Sequence, residues 1–280
     1  MEKSLKFLLA ENKLTLKKAY GQNFLTDETL LSTIVEKAGV TENDTVIEIG
    51  CGAGALTCQL AKKAKTVIGY EIDERLKPVL KETTGDFSNV KIVFKDIMKE
   101  KVADIEKTIG GEYKIVANLP YYITTPIVMN FIENATMLKS MSIMVQEEVA
   151  DRFSAIPATS DYGAITVAIN LRGSAKTVLA VPREKFTPVP NVDSAVVKID
   201  IEKGKFAGAD LKCVRETVRA GFSSRRKMLV NNLINGLKLT RAQAETAIIN
   251  AGVSLTARGE TLSAEDYIRL TESVKRVKNG

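Results

Sequence analysis

Three glycines, two acids and a run ending in tyrosines carry most of the chemistry legible in this chain. Gly50, Gly52 and Gly54 lie in EIGCGAGAL, between an apolar run and a helical pattern. Glycine lets the backbone approach a ligand closely and adopt positive φ. Glu71 ends a second apolar run, 21 residues after Gly50, where a carboxylate can accept hydrogen bonds from ribose hydroxyls. Asp96 ends a third run, VKIVFKD, and can accept from an exocyclic amine. Asn118, Leu119, Pro120 and Tyr121 (NLPY) directly follow a fourth, YKIVA. Each motif also has a plainer reading: a tight turn for the glycines, a strand-end cap for Asp96, a strand-ending turn with a packed ring for NLPY. GCGAGA further satisfies the glycine pattern of dinucleotide enzymes.

The set is more selective than its members. At the carboxyl ends of parallel strands, Gly50, Glu71 and Asp96 would line one crevice. Nothing there calls for a pyrophosphate. The acids suit a ligand with a ribose, an amine-bearing base and a positive centre, which describes S-adenosyl-L-methionine. NLPY then has a use. An exocyclic amine on a base is a poor nucleophile because its lone pair is delocalised. The Asn118 side-chain oxygen and the Leu119 carbonyl can accept its hydrogens and localise that pair. Pro120 stiffens the turn, and Tyr121 offers a face for stacking. Rate would come mainly from alignment of nitrogen, methyl carbon and sulfur. Tyr122 reads as packing, without a role.

The elements that must position these residues alternate regularly. Strand-type runs at 45–50, 66–72, 90–96, 113–120 and 141–146 are each followed by a helical pattern. This predicts βαβ units and a mostly parallel sheet, and the near-continuous apolar strands fit a sheet covered on both faces. Runs at 176–182 and 194–201 are separated by the proline-rich REKFTPVPNVD and are expected to pair antiparallel at the sheet edge. The pattern is helical to the end after residue 205. The expected division is therefore an α/β domain over 1–205 with a basic N-terminal arm, and a helical domain over 206–280; the resemblance given below implies a catalytic role for the first and RNA binding for the second.

Composition narrows the function. The chain of 280 residues contains no histidine, which removes His-based triads, ligands and proton shuttles. Cys51, Cys58 and Cys213 form no CxxC pair, so neither a disulfide framework nor a zinc site is expected, and no metal is called for. No window resembles a membrane span, and the charged start reads as a mature N-terminus. The expected setting is the cytoplasm. Net charge is +6. Residues 1–20 carry five Lys against two Glu, and residues 210–280 carry thirteen Lys and Arg against seven acids. Basic ends around a mildly acidic body suggest a polyanion held by the ends, or a surface that only aids solubility.

GQNFLTD (21–27), EIGCGAGALT, NLPYYIT, FTPVPNVDSAVV (186–197), GFSSRRKML (221–229) and RGETLSAEDYIRL (258–270) together resemble the rRNA adenine N6-dimethyltransferases, most closely their small-subunit branch. The likeness runs from about residue 16 to about residue 272. It implies a Rossmann-like methyltransferase fold with a seven-stranded sheet and a small all-α C-terminal domain. It further implies that Asn23 and Leu25 close over the donor, Gly50 and Gly52 lie against its methionine end, Glu71 binds the ribose, and Asp96 meets the adenine. Asn118 would sit near the methyl and the target amine, and Phe186 would stack on the target base opposite Tyr121. Cys51 stands where the family commonly has proline, and is not read as a nucleophile. The implied reaction places four methyls on two adjacent adenosines in the 3′-terminal hairpin loop of 16S rRNA, on an immature 30S subunit. A hairpin loop lowers the cost of extruding a base. Lys17, Lys18, Arg225, Arg226 and Lys227 would grip phosphates, and the enzyme would be a monomer. The competing expectations are a 23S rRNA methyltransferase of the macrolide-resistance type, a non-catalytic assembly or transcription factor on the same fold, and a nicotinamide oxidoreductase.

Overall fold

The computed structural model describes residues 24–279. Asn23, Lys17 and Lys18 lie outside them. The chain divides into two compact units: residues 1–150 with 176–201, and residues 151–175 with 202–280.

The first unit begins with β1 (Phe24–Leu25) and α1 (Glu28–Ala38). Asp27 caps α1 by accepting from the Leu30 N–H at 3.1 Å, and Gly39 ends it in the left-handed region. Leu31, Ile34, Val35 and Ala38 recur at helix spacing and are all buried. There follow β2 (Thr45–Ile49), α2 (Ala55–Ala61), β3 (Thr66–Glu71), α3 (Lys77–Thr84), β4 (Val90–Phe94), α4 (Val102–Ile109), β5 (Tyr113–Asn118), α5 (Tyr121–Asn134), β6 (Leu138–Gln146) and α6 (Glu147–Ser154). Later come β7 (Gly173–Val181), β8 (Phe186–Thr187) and β9 (Ser194–Ile201).

Seven strands form one sheet in the order β4-β3-β2-β5-β6-β9-β7. The pairs β2/β3, β3/β4, β2/β5 and β5/β6 are parallel, and β9 runs antiparallel to β6. The expected neighbours β7 and β9 do adjoin at the edge, with β9 the inner of the two. The chain leaves β2 outward through β3 and β4, then returns to β5 on the other side of β2. That reversal opens a crevice above the carboxyl ends of β2 and β5. Ile47, Val67, Ile115 and Ile143 are buried in the strands that form its floor.

Three local features were not legible in the sequence. The two-residue strands β1 and β8 pair antiparallel, Leu25 opposite Phe186, too short to leave a pattern. Helix α5 starts directly after the strand, at Tyr121, with Pro126 inside it. Pro126 falls in the second turn, where it still lacks an N–H for the carbonyl four residues back; the apolar face Ile127, Val128, Phe131 and Ile132 holds the helix on the sheet. A helix α7 (Ala164–Asn170) lies in a stretch with no clear helical period.

The second unit contains α7 with α8 (Leu211–Gly221), α9 (Leu229–Leu237), α10 (Arg241–Asn250) and α11 (Ala264–Asn279). Its core joins Tyr162, Val167 and Leu171 to Val214, Leu229, Leu233, Ile248 and Tyr267. Shared burial is the physical reason that residues 151–175 belong with the later helices. The single cut near residue 205 missed this, because composition does not change at 151. Among the described residues no helix is long and apolar enough to cross a membrane.

Candidate active site

A cavity of about 300 Å³ opens at the strand tips of the first unit, within the size range of small-molecule sites. Its lining includes Leu25, Gly50, Gly52, Glu71, Asp96, Asn118, Leu119, Pro120 and Tyr121. These come from the ends of β1, β2, β3, β4 and β5, so the parallel register does the assembling.

The glycine loop is held open by conformation. Gly50, Gly52 and Gly54 all have positive φ. At Gly52 the requirement is also spatial: an added Cβ would lie 3.0 Å from the Phe24 ring. Phe24 itself lines the cavity, a residue sequence reasoning passed over because nothing marked a two-residue strand.

Glu71 anchors the loop. Its Oε2 accepts from the Gly52 N–H at 2.8 Å, and its Oε1 accepts from the N–H groups of Ile72 and Asp73, both at 2.9 Å. Burial pushes its pKa up, and the three backbone donors oppose that shift. Asp96 caps the short helical turn after β4, accepting from the Met98 N–H at 3.0 Å. The strand-end cap is thus real, and the carboxylate still lines the cavity. Exposed Ile72 (53%) and Met98 (40%) flank these acids on the lining; both were missed because a lone aliphatic residue carries no motif.

Glu48 was also missed, hidden within an apolar strand run. It is 1% exposed and lines the cavity. Its Oε2 has no hydrogen-bond partner among the described residues, and neither has the Thr57 hydroxyl. Burial raises its pKa from the ordinary 4.5 to about 8, and the nearby Glu71 charge adds to this. The unfolded chain ionises this carboxyl above pH 4.5 while the folded chain keeps it protonated until about 8. Stability is therefore lost as pH rises through that window, by about 3 kcal/mol at pH 7. Glu48→Gln should melt several degrees above the wild type at pH 8 and converge on it near pH 4.5. A gap independent of pH would contradict this ionisation.

Cys51 is buried, with its Sγ 3.6 Å from the Tyr70 carbonyl. Burial, and then the Glu48 and Glu71 charges, hold its thiol well above the usual range, so it is no nucleophile. Gly69 makes room for it: a Cβ there would meet the Cys51 sulfur at 2.4 Å.

On the other rim Tyr121 is half-buried, and its hydroxyl shares a 2.9 Å hydrogen bond with Ser194 Oγ. Asn118 is the last residue of β5, and the Asn118 carbonyl lies 3.8 Å from where a Gly50 Cβ would stand. Phe186 is not brought to the cavity. It is 2% exposed and packs with Leu25, Leu31 and Ile34, because its pairing with Leu25 turns the ring into the core. Tyr122, given no role by its sequence, is 63% exposed and lines the cavity.

In the second unit Arg225, Arg226 and Lys227 are exposed, but they differ. The Arg225 guanidinium donates to the carbonyls of Ser160 and Tyr162, at 2.5 and 3.0 Å. It therefore ties residues 160–162 to the loop before α9. No hydrogen bond or ion pair from the Arg226 or Lys227 side chain occurs among the described residues. No group of three His, Cys, Asp or Glu residues suited to a metal is found there either.

Comparison with known proteins decides the family. The ribosomal RNA adenine dimethylase profile matches residues 13–276. The chain belongs to that family. Curated relatives called ribosomal RNA small subunit methyltransferase A include one from Bacillus licheniformis, 42% identical over 97% of this chain and 96% of its own length. Another, from Shouchella clausii, is 43% identical over 95% and 92%. Among solved structures, the 23S rRNA methyltransferase ErmE is 30% identical with a TM-score of 0.69, covering 90% of this chain and 100% of its own. A dimethyladenosine transferase from Plasmodium falciparum shares the fold at a TM-score of 0.75 and 24% identity, over 91% and 98%. The expectation of a nicotinamide oxidoreductase falls with the family assignment.

Proposed function

We propose that this protein methylates the N6 amines of adenosines in small-subunit ribosomal RNA, with S-adenosyl-L-methionine as donor. The observation that carries the reading is the convergence of Glu71, Asp96 and Asn118 on one cavity at the strand tips. S-adenosyl-L-methionine supplies an electrophilic methyl group when bound. The residues fit it. Glu48 offers a buried, unpartnered carboxyl oxygen to a cationic amine, and the positive-φ glycines leave room beside it. Glu71 faces the ribose with its carboxylate already fixed by backbone donors. Asp96 would hold the adenine amine, and Ile72 and Met98 on the same lining would offer it apolar contact.

Asn118 and the Leu119 carbonyl accept the two hydrogens of the target amine and turn its lone pair toward the donor. Tyr121, its ring fixed through Ser194, stacks on the target base. The amine becomes acidic once alkylated and releases its proton to water, so no histidine is needed. Phe186 anchors β8 to β1 rather than stacking.

The small subunit is favoured over the large by likeness: relatives named for the small subunit are 42–43% identical over nearly the whole chain, the large-subunit ErmE 30%. Two adjacent adenosines of the 3′-terminal hairpin of 16S rRNA, on an immature 30S particle, are the proposed targets. The second unit is the proposed RNA-binding domain. Arg226 and Lys227, side chains without partners among the described residues, would neutralise phosphates, whereas Arg225 holds the local fold. Replacing Arg226 and Lys227 together with Ala should lower the salt slope of RNA binding by about two. Arg225→Ala should instead lower the melting temperature. An unchanged slope in the double variant would mean that these cations face only solvent.

The reading is tested by transfer of labelled methyl groups to undermethylated small-subunit particles and, in parallel, to large-subunit RNA, with the product nucleoside identified. N6,N6-dimethyladenosine in the small subunit is the expected product. Methylation confined to large-subunit RNA, or at any other atom, would overturn it.

A further inference from the structure

The cavity has two rims of different character. Ile72 and Met98 follow the strand ends that carry Glu71 and Asp96, and Tyr122 follows the strand end that carries Asn118; all three line the cavity. Four aromatic residues line the cavity: Phe24, Tyr70, Tyr121 and Tyr122. Phe24 is committed to the glycine loop, Tyr70 is buried, and Tyr121 is half-buried and tied to Ser194. Tyr122 alone among them turns most of its surface to solvent. The backbone cannot swing it away, because it sits in the first turn of α5, whose apolar face is anchored in the core.

We propose that Tyr122 is a second stacking platform, which takes the nucleobase next to the target adenosine in the RNA strand. The inference rests on the proposed function and extends it by one subsite. Extruding a base deprives its neighbour of a stacking partner. An aromatic face held at the mouth of the target pocket replaces that partner, without reading sequence, since every base has a π-face. Tyr121 thus holds the base that reacts, and Tyr122 holds the strand beside it in register. The two rings are consecutive in the helix, about 100° apart around its axis, so one serves the interior of the cavity and the other its rim.

The test is steady-state methyl transfer to undermethylated small-subunit particles by the full chain and its Tyr122→Phe, Tyr122→Ala and Tyr122→Leu variants. The phenylalanine variant, which keeps the ring, should stay within about twofold of wild type. The alanine and leucine variants should each lose about tenfold in kcat/KM. Donor affinity and melting temperature should be unchanged in all three, which separates loss of stacking from loss of fold or of the donor site. Full activity in Tyr122→Ala, rescue by leucine, or failure of phenylalanine to rescue would each overturn the platform while leaving the proposed function standing. No transfer by the wild type to small-subunit particles would overturn both.

Discussion

Asn118→Ala should reduce methyl transfer by about 10²- to 10³-fold in kcat, with RNA affinity and donor affinity within a few-fold of wild type. The magnitude follows from what the side chain supplies. A delocalised amine attacks slowly, and acceptors fixed in place before reaction stabilise the charge that develops on its hydrogens. On the proposed mechanism the Asn118 oxygen is one of two such acceptors, and the other, the Leu119 carbonyl, cannot be removed by substitution. Asn118 ends β5 level with Gly50 and is paired with Met144 of β6 through the backbone, which the substitution keeps. The effect should therefore fall on kcat rather than on KM. Single-turnover kinetics on saturated enzyme would measure it. A variant with normal turnover would remove Asn118 from the chemistry.

Glu71→Ala should weaken donor binding by at least tenfold and also lower the melting temperature. Two losses combine. On the proposed reading the ribose hydroxyls lose an acceptor, and the N–H groups of Gly52, Ile72 and Asp73 lose theirs. A buried donor left unpaired costs about 1–3 kcal/mol, and the loop it belongs to is the one that must fit the ligand. Glu71→Gln should rescue little. An amide has one acceptor oxygen, so its NH2 would confront either the Gly52 N–H or those of Ile72 and Asp73. Calorimetric titration with S-adenosylhomocysteine reads the affinity directly. Unchanged affinity in both variants would mean that the ligand does not approach the tip of β3.

The sheet was legible because its inner strands are buried on both faces and announce themselves as apolar runs; Thr45–Ile49 and Tyr113–Asn118 are examples. The convergence of Glu71, Asp96 and Asn118 on one cavity was legible for the same reason: each is a polar residue at the end of such a run. Glu48 was not, since a carboxyl inside a strand looks like alternation, and only its burial beside the cavity gives it meaning. The place of Phe186 was not legible, because its phrase is specific to the family while its burial away from the cavity lining accompanies pairing with Leu25, 161 residues away. The cationic run likewise reads as one patch in the sequence, but Arg225 donates to two backbone carbonyls, of Ser160 and Tyr162, which its neighbours do not. Tyr122 was passed over because an aromatic at helical spacing is more often core than rim.

The measurement that tests the central claim most directly is a crystal structure of this chain with S-adenosylhomocysteine bound. The ligand should lie across the tips of β2, β3, β4 and β5, its ribose at Glu71, its adenine amine at Asp96 and its sulfur facing Asn118. Density for the ligand anywhere away from these three side chains would contradict the account.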